Sequence, residues 1–519
     1  MLARLLHALW CSLLLFPIAT TPSLARADTI EDPFTLVELK SAGRTVAAEI
    51  ADFDGDGRTD LLQIVFVGIP PDDKRLVRLW HQSENGGLEP KPMYEVALPE
   101  GSAAYDVGHV LPDQPGEQLV LLRPQGLTIL SFANPGLPQR DIRVDGGTMA
   151  AAEDERGLDR FKLVFNDFGS EPWLFAPMLA QSAFYSPSGE RKALLEVGAR
   201  ANYFLPPRPG PLFVDSDLQM LLDVPRISVG DVDGDGRTDV VASGRHDVRV
   251  FLRREDGSFP RQADRVMKLA LVTEEDHIRG SGSVRVEARD VSGDGKLDLL
   301  ISHLAGGVTD AHSDTSIYLN KGGRWDLSKP DFNLPPTPGW GADQLIDIDH
   351  DGRPELMHVS VPFGVLALIQ ALVTRSIDAD VAVYRGDDSG RFSAEPWFHR
   401  KLSIAFSFDT ARPLGFVPTG NFDLNGDGFD DLLTAGKGDR IDVWLGSAGG
   451  MSTTVSARQR LPSSGRLRGG DWDGDGLADL VLYDPRQPNA PVEIARNRGL
   501  LPGTLPRIGA ATPWRAPTE

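Results

Sequence analysis

Apolar positions along this chain come in short runs, some continuous and some alternating with polar residues, each closed by a turn-forming residue. Continuous runs around Leu61-Leu62, Val240-Val241, Leu299-Leu300, Leu432-Leu433 and Leu480-Val481 predict strands buried on both faces. Alternating runs that end in a glycine turn predict hairpins at residues 77–87, 127–136, 248–257, 317–323, 381–390 and 441–450. Residues 492–499 and 184–189 follow the same pattern less closely.

One nine-residue pattern precedes each buried run. Its copies are DFDGDGRTD from Asp52, DVDGDGRTD from Asp231, DVSGDGKLD from Asp290, DIDHDGRPE from Asp347, DLNGDGFDD from Asp423 and DWDGDGLAD from Asp471. The starts are 179, 59, 57, 76 and 48 residues apart. The first gap spans about three repeat periods and predicts two worn copies, near Asp113-Gln-Pro-Gly-Glu and Asn166-Asp-Phe-Gly-Ser-Glu. Each period then reads strand, acidic loop, buried strand, spacer, strand, turn, strand.

Four strands per repeat of about 60 residues is the pattern of a β-propeller blade. The expected fold is all-β, a single propeller of about eight four-stranded blades, with seven the alternative if one worn copy is only an insertion. Phe34–Leu39 precedes the first acidic loop and is placed to close the ring by joining the last blade. A linear β-solenoid would show the same period without closure.

Composition narrows the setting. Gly 54 and Pro 39 among 519 residues suit many short elements rather than long helices. Lys+Arg 53 against Asp+Glu 74 gives a net charge of −21, which argues against a nucleic-acid partner. The first 27 residues read as a secretory signal: Arg4, an apolar stretch over residues 5–16, and small residues at Ala25 and Ala27. Residues 28–519 are then the mature propeller, without Cys11 and therefore without disulfide, cysteine-ligated zinc or cysteine nucleophile. No later stretch is long and apolar enough to span a membrane, so the expected location is periplasmic or secreted.

The acidic loops carry the chemistry. Position 1 is Asp52, Asp231, Asp290, Asp347, Asp423 or Asp471, and position 3 is Asp54, Asp233, Ser292, Asp349, Asn425 or Asp473. Position 5 is Asp56, Asp235, Asp294, Asp351, Asp427 or Asp475, and position 9 is Asp60, Asp239, Asp298, Glu355, Asp431 or Asp479. Position 6 is always glycine, as a tight loop needing positive φ requires. Position 7 varies (Arg58, Arg237, Lys296, Arg353, Phe429, Leu477), as expected where only a backbone carbonyl would coordinate. Like charges about 4 Å apart repel by roughly 4 kcal/mol at an effective dielectric near 20. A hard divalent cation with oxygen ligands relieves that repulsion, and Ca2+ suits an all-protein cage better than Mg2+. About six Ca2+ sites are expected.

An EF-hand would need a bidentate Glu at position 12 on an exiting helix. That position holds Gln63, Ala242, Ile301, His358, Thr434 and Leu482, and the residues after each loop read as a strand. The closing carboxylate must come from position 9. With D-x-[DN]-x-D-G-x-x-D loops between neighbouring strands, the chain resembles the FG-GAP/VCBS repeat proteins, the class that includes the integrin α propeller. The resemblance is strong at six loops and implies a calcium-binding propeller. No inserted adhesion domain is visible, so integrin-type ligand recognition is not implied.

No catalytic constellation stands out: there is no H-E-x-x-H, no G-x-S-x-G and no phosphate-cradling glycine loop. His303 and His312 share a loop region and read as surface or packing residues. Residues 363–375 read as a short apolar helix packing across the propeller face. In residues 175–225, Phe184, Tyr185, Tyr203 and Phe204 lie beside a Pro-rich stretch and read as cover for a worn blade or as a sugar-stacking loop. The functional expectation is an interaction or adhesion scaffold with a protein or glycan partner. The alternative is a carbohydrate-active propeller, a lectin or a polysaccharide lyase.

Overall fold

The computed structural model describes residues 29–504 apart from 70–71, 84–86, 134–138, 151–156, 205–218, 274, 277–281, 307–310, 363–368, 371–372, 375, 388, 408–411, 415–417, 437–439 and 462–464. The signal expected at residues 1–27 lies outside them.

Eight sheets of four or five strands form the blades of a propeller ring. The first blade is Arg44–Ala51, Asp60–Val67, Lys74–Trp80 and Tyr94–Ala97, paired in sequence order. The second blade begins at Ala104–Gly108 and the third at Val164–Phe165, so both worn repeats are complete blades. Blades four to seven begin at Arg226–Gly230, Gly282–Arg289, Trp340–Ile346 and Thr419–Phe422. The eighth takes Arg466–Gly470, Asp479–Tyr483 and Val492–Asn497 from the end of the chain and its outermost strand, Phe34–Leu39, from the beginning. Phe34–Leu39 pairs antiparallel with Val492–Asn497 over six residues, which is the expected ring closure.

The burial gradient within a blade explains the sequence pattern. In the first blade all of Asp60–Val67 is buried except the half-exposed Val67, whereas Tyr94–Ala97 alternates between half-buried and exposed. Second strands are covered on both faces by neighbouring blades and are therefore continuously apolar; outermost strands meet water and alternate. The core accordingly lies between blades. Leu62, Ile64, Val77 and Leu79 of the first blade pack with Tyr105, Val107, Leu119 and Leu121 of the second. Ile50 and Leu61 pack with Trp472, Val481 and Ile494 across the closure.

Among the described residues, several segments depart from the four-stranded repeat. A hairpin of Arg200–Phe204 and Gln219–Asp223 lies between the third and fourth blades. Asp159–Arg160 adds a short parallel strand against Ala104–Tyr105, beside the first strand of the second blade. Among the described residues of 363–375, Ile369, Gln370, Val373 and Thr374 are helical, but Ile369 and Val373 are 51% and 79% exposed rather than packed as core. Phe184 and Tyr185 are buried, with Phe165, Phe168, Trp173 and Phe175 around Phe184, so they are core of the third blade and not sugar-stacking residues. The side chains of Tyr203 and Phe204 lie outside the described part of the structure.

Candidate cation-binding loops

All six acidic loops join the first strand of a blade to its second, and the worn copies occupy the same turn in the second and third blades. Equivalent turns of a propeller emerge on one face, and here they are tied to one another. Glu117 N–H donates to Asp52 O (2.7 Å), Leu297 N–H to Asp231 O (2.9 Å), Asp430 N–H to Ile348 O (2.7 Å) and the Thr59 hydroxyl to Asp471 O (2.8 Å). Position 12 lies within a second strand in every copy, as the exclusion of an EF-hand required.

Each loop is a stack of aspartate turns. The position-1 carboxylate accepts the N–H of the position-6 glycine in all six loops, at 2.8 to 3.1 Å. These glycines have φ between 79° and 93°. Position 4 is also left-handed, and His350, at φ 55°, is the one non-glycine there. The position-5 carboxylate accepts the N–H of position 7 in every loop, at 2.8 to 3.0 Å.

Position 9 closes the hairpin. Its carboxylate accepts the N–H of position 2 in all six copies: Phe53 to Asp60 (3.1 Å), Val232 to Asp239 (2.9 Å), Val291 to Asp298 (3.1 Å), Ile348 to Glu355 (2.9 Å), Leu424 to Asp431 (2.8 Å) and Trp472 to Asp479 (2.7 Å). In four loops the second oxygen accepts an N–H just past the third strand or at its end, from Arg253, Asn320, Gly446 or Asn497. These carboxylates are buried beside other acids, and that raises them. Burial first, then the charge of Asp54, pushes Asp60 up to about 8. Asp479, Glu355 and Asp239 are pushed up to about 8, 7 and 6, chiefly by burial and further by acids of their own loops. Asp431 is raised well above its ordinary value for the same reason.

Four loops bring three carboxylates within one coordination distance: Asp52, Asp54 and Asp56; Asp231, Asp233 and Asp239; Asp347, Asp349 and Asp351; and Asp471, Asp473 and Asp479. In the remaining two, Ser292 and Asn425 stand where the others have the third-position aspartate. Oδ1 of Asp233, Asp347, Asp349 and Asp473 is buried with no hydrogen-bond partner. A buried carboxylate oxygen without a donor costs about 1–3 kcal/mol or more. Oxygen-only donors, a buried unpaired oxygen and a repelling cluster together fit a hard divalent cation.

Sequence reasoning missed three features. Basic residues at position 7 fold back on position 5: Arg58 on Asp56 (2.6 Å), Arg237 on Asp235, Lys296 on Asp294 (2.9 Å) and Arg353 on Asp351 (2.7 Å). Burial alone would raise Asp56, but Arg58 outweighs it and holds that carboxyl below the usual range. Second, His81, Arg385 and Arg496 reach the third-position aspartate from the third strand. His81 Nε2 lies 2.9 Å from Asp54 and 3.5 Å from Asp60, Arg385 is on Asp349, and Arg496 Nε is 3.1 Å from Asp473. Third, Gln118 stands in the second blade where the others carry position 9. Its side-chain oxygen accepts Val110 N–H (2.7 Å) and Leu111 N–H (2.9 Å), closing that turn with a neutral amide.

Of the histidines, His312 is exposed and His303 lies 3.6 Å from Asp314. His358 is buried and engages Asp343 at 2.7 Å. Asp343 also accepts the Ser302 and Thr315 hydroxyls, so this group fastens the fifth blade to the sixth.

Residues 231–301, 290–358 and 423–509 match the FG-GAP-like repeat family. No curated protein matches the sequence. Similar solved structures include a lectin of Agrocybe aegerita described as recognising non-reducing terminal N-acetylglucosamine, at 12% identity over 88% of this chain and 86% of that one, TM-score 0.38. Sqt1 from Chaetomium thermophilum is 12% identical over 91% and 99%, TM-score 0.42. The Dos1 propeller is 8% identical over 90% and 96%, TM-score 0.31.

Proposed function

We propose that this chain, an eight-bladed β-propeller of FG-GAP-like repeats, is an extracytoplasmic calcium-binding scaffold for protein–protein interaction. The observation that carries the reading is the set of acidic loops on one face, with buried carboxylate oxygens that no protein donor satisfies. The carboxylates of positions 1, 3, 5 and 9, with Ser292 and Asn425 as neutral oxygen donors, would hold the ions. The charge of Ca2+ would offset the repulsion within each loop, and the hydrogen bonds between loops would pass that order around the ring.

Export through cleavage after Ala27 accords with a mature chain that needs no cysteine. Among the described residues no helix is long and apolar enough to cross a membrane. The turns opposite the acidic face expose Ile69 (82%), Leu179 (62%) and Val373 (79%), one each on the first, third and sixth blades. The sugar-stacking reading loses Phe184 and Tyr185 to the core of the third blade.

The test is equilibrium dialysis of the full mature chain against 1 mM calcium, with N-terminal sequencing of the exported protein. Binding of several ions to a chain that begins at Asp28 is the expected result. Fewer than three bound ions overturns the metal reading, and a retained residue 1 overturns the export reading. In photo-crosslinking against the exported proteins, Leu179→Asp with Val373→Asp should lose the adducts formed by the parent; unchanged adducts remove that face as the contact surface.

A further inference from the structure

The acidic loops are not equivalent, and the residue that sorts them lies outside the motif. The second and third strands pair Leu356 with Tyr384, Leu480 with Ala495, Val240 with Phe251, Leu299 with Tyr318 and Leu432 with Trp444. One step on, the residue facing position 9 is Arg385 in the sixth blade and Arg496 in the eighth. It is Leu252, Leu319 and Leu445 in the fourth, fifth and seventh.

The arginines sit where a cation belongs. Arg385 contacts Asp349, lies 3.7 Å from Glu355 and lies 3.9 Å from Asp351, so it touches carboxylates from positions 3, 9 and 5 together. Arg496 engages Asp473 through Nε at 3.1 Å and Nη2 at 2.5 Å. A guanidinium keeps its charge at every accessible pH. Two of the three leucine loops are those with a neutral residue, Ser292 or Asn425, at position 3. The third keeps Asp233, whose Oδ1 is buried without a hydrogen-bond partner, as are those of Asp349 and Asp473, but a leucine and not an arginine faces its position 9. Among the described residues, the third-position aspartate is thus met by a guanidinium in the two arginine loops and by none in the loop of the fourth blade, where Arg237 lies on the position-5 Asp235 instead. The basic residues at position 7 occur in both groups, so they do not account for the division.

Resting on the calcium reading above, we propose that the loops form two affinity classes. Loops 231–239, 290–298 and 423–431 take a divalent cation tightly. Loops 347–355 and 471–479 take it at least tenfold more weakly, because Arg385 and Arg496 compete with it for the third-position carboxylate. Those two blades hold their loops in order without an ion, whereas the leucine-class loops depend on one. The first loop has a ring nitrogen, His81, at this place and belongs to neither class.

Isothermal titration of the metal-free full chain with CaCl2 tests this. The wild type should bind in two phases, the weaker accounting for two ions. Arg385→Leu with Arg496→Leu should merge those two ions into the tight phase, and Leu252→Arg should move one tight ion into the weak phase. Circular dichroism confirms that each variant is folded. Backbone hydrogen exchange gives a second readout: chelator should expose loops 231–239, 290–298 and 423–431 while sparing 347–355 and 471–479. A single class of sites in the wild type, or a weak phase unchanged by the double substitution, overturns the proposal. Absence of any binding by the wild type overturns the calcium reading itself.

Discussion

The ninth residue of each loop does two jobs, and Gln118 shows that they separate. In the second blade a neutral amide accepts two backbone N–H groups and closes the turn without adding charge. At Asp60 the carboxylate performs the same closure on the buried Phe53 N–H while standing among other acids. Asp60→Asn should keep the closure and lose one ion ligand, whereas Asp60→Ala should also strand the Phe53 N–H, an added cost of about 1–3 kcal/mol. Chemical denaturation of both variants in chelator reads that difference. Charge at this position also fixes a pH dependence. Asp60 and Asp479 are raised to about 8, Glu355 to about 7 and Asp239 to about 6, so the metal-free fold favours their protonated forms. The stability this gives is complete below the ordinary carboxylate range and is lost as pH rises through 6 to 8. In chelator the melting temperature should therefore fall between pH 5 and pH 9, and saturating calcium should flatten the slope. A metal-free melt independent of pH would contradict the assignment.

At the scale of elements, the strand that comes first in the chain finishes the structure. Phe34–Leu39 buries Phe34 and Leu39 at its ends and covers the edge of Val492–Asn497. A strand edge left open is a template for pairing with another chain. Phe34→Ala should cost about 3 kcal/mol, and a chain starting at Lys40 should elute as larger species in size exclusion and melt well below the parent. Both the closure and the blade count were legible in the sequence because burial on both faces writes continuous apolar runs, and a fixed period repeats them. The insertions were less legible. The helical residues near Ile369 look like core because they are apolar, yet Ile369 and Val373 face solvent. The aromatic run at Phe184 reads either as cover for a worn blade or as a sugar-stacking loop, because that repeat has lost the carboxylates that mark its neighbours; burial of Phe184 and Tyr185 agrees with the first. Of the candidate site, the carboxylates at positions 1, 3, 5 and 9 were readable within nine residues. His81, Arg385 and Arg496 were not, because strand register and not sequence distance brings them to the loops.

For the whole molecule, the central question is what holds a ring of like-charged loops together. Part of the answer is apolar packing between blades, and part is paired charge near the centre. Glu49 of the first blade is fully buried and bonded to the Tyr105 hydroxyl (2.8 Å), Arg160 (2.9 Å) and Arg468 (3.4 Å), so it joins the eighth, first and second blades. In the acidic loops of the fourth, fifth and seventh blades a leucine, not an arginine, faces position 9. At one hundred times its dissociation constant, each bound ion adds about 2.7 kcal/mol. Three such sites, if filled as proposed, would add about 8 kcal/mol, comparable with the whole stability of a typical domain, about 5–15 kcal/mol. Chelation should lower the melting temperature by about 10 °C or more. The cause can be separated from a general loss of packing by salt. Repulsion among exposed carboxylates is screened over a Debye length of about 10 Å at 0.1 M and about 3 Å at 1 M. Raising sodium chloride in chelator should then recover part of the lost melting temperature, while the calcium-loaded protein should respond little. Differential scanning fluorimetry across a salt series, with and without calcium, reads both curves. Parallel curves would mean that loop charge does not limit the stability of the ring.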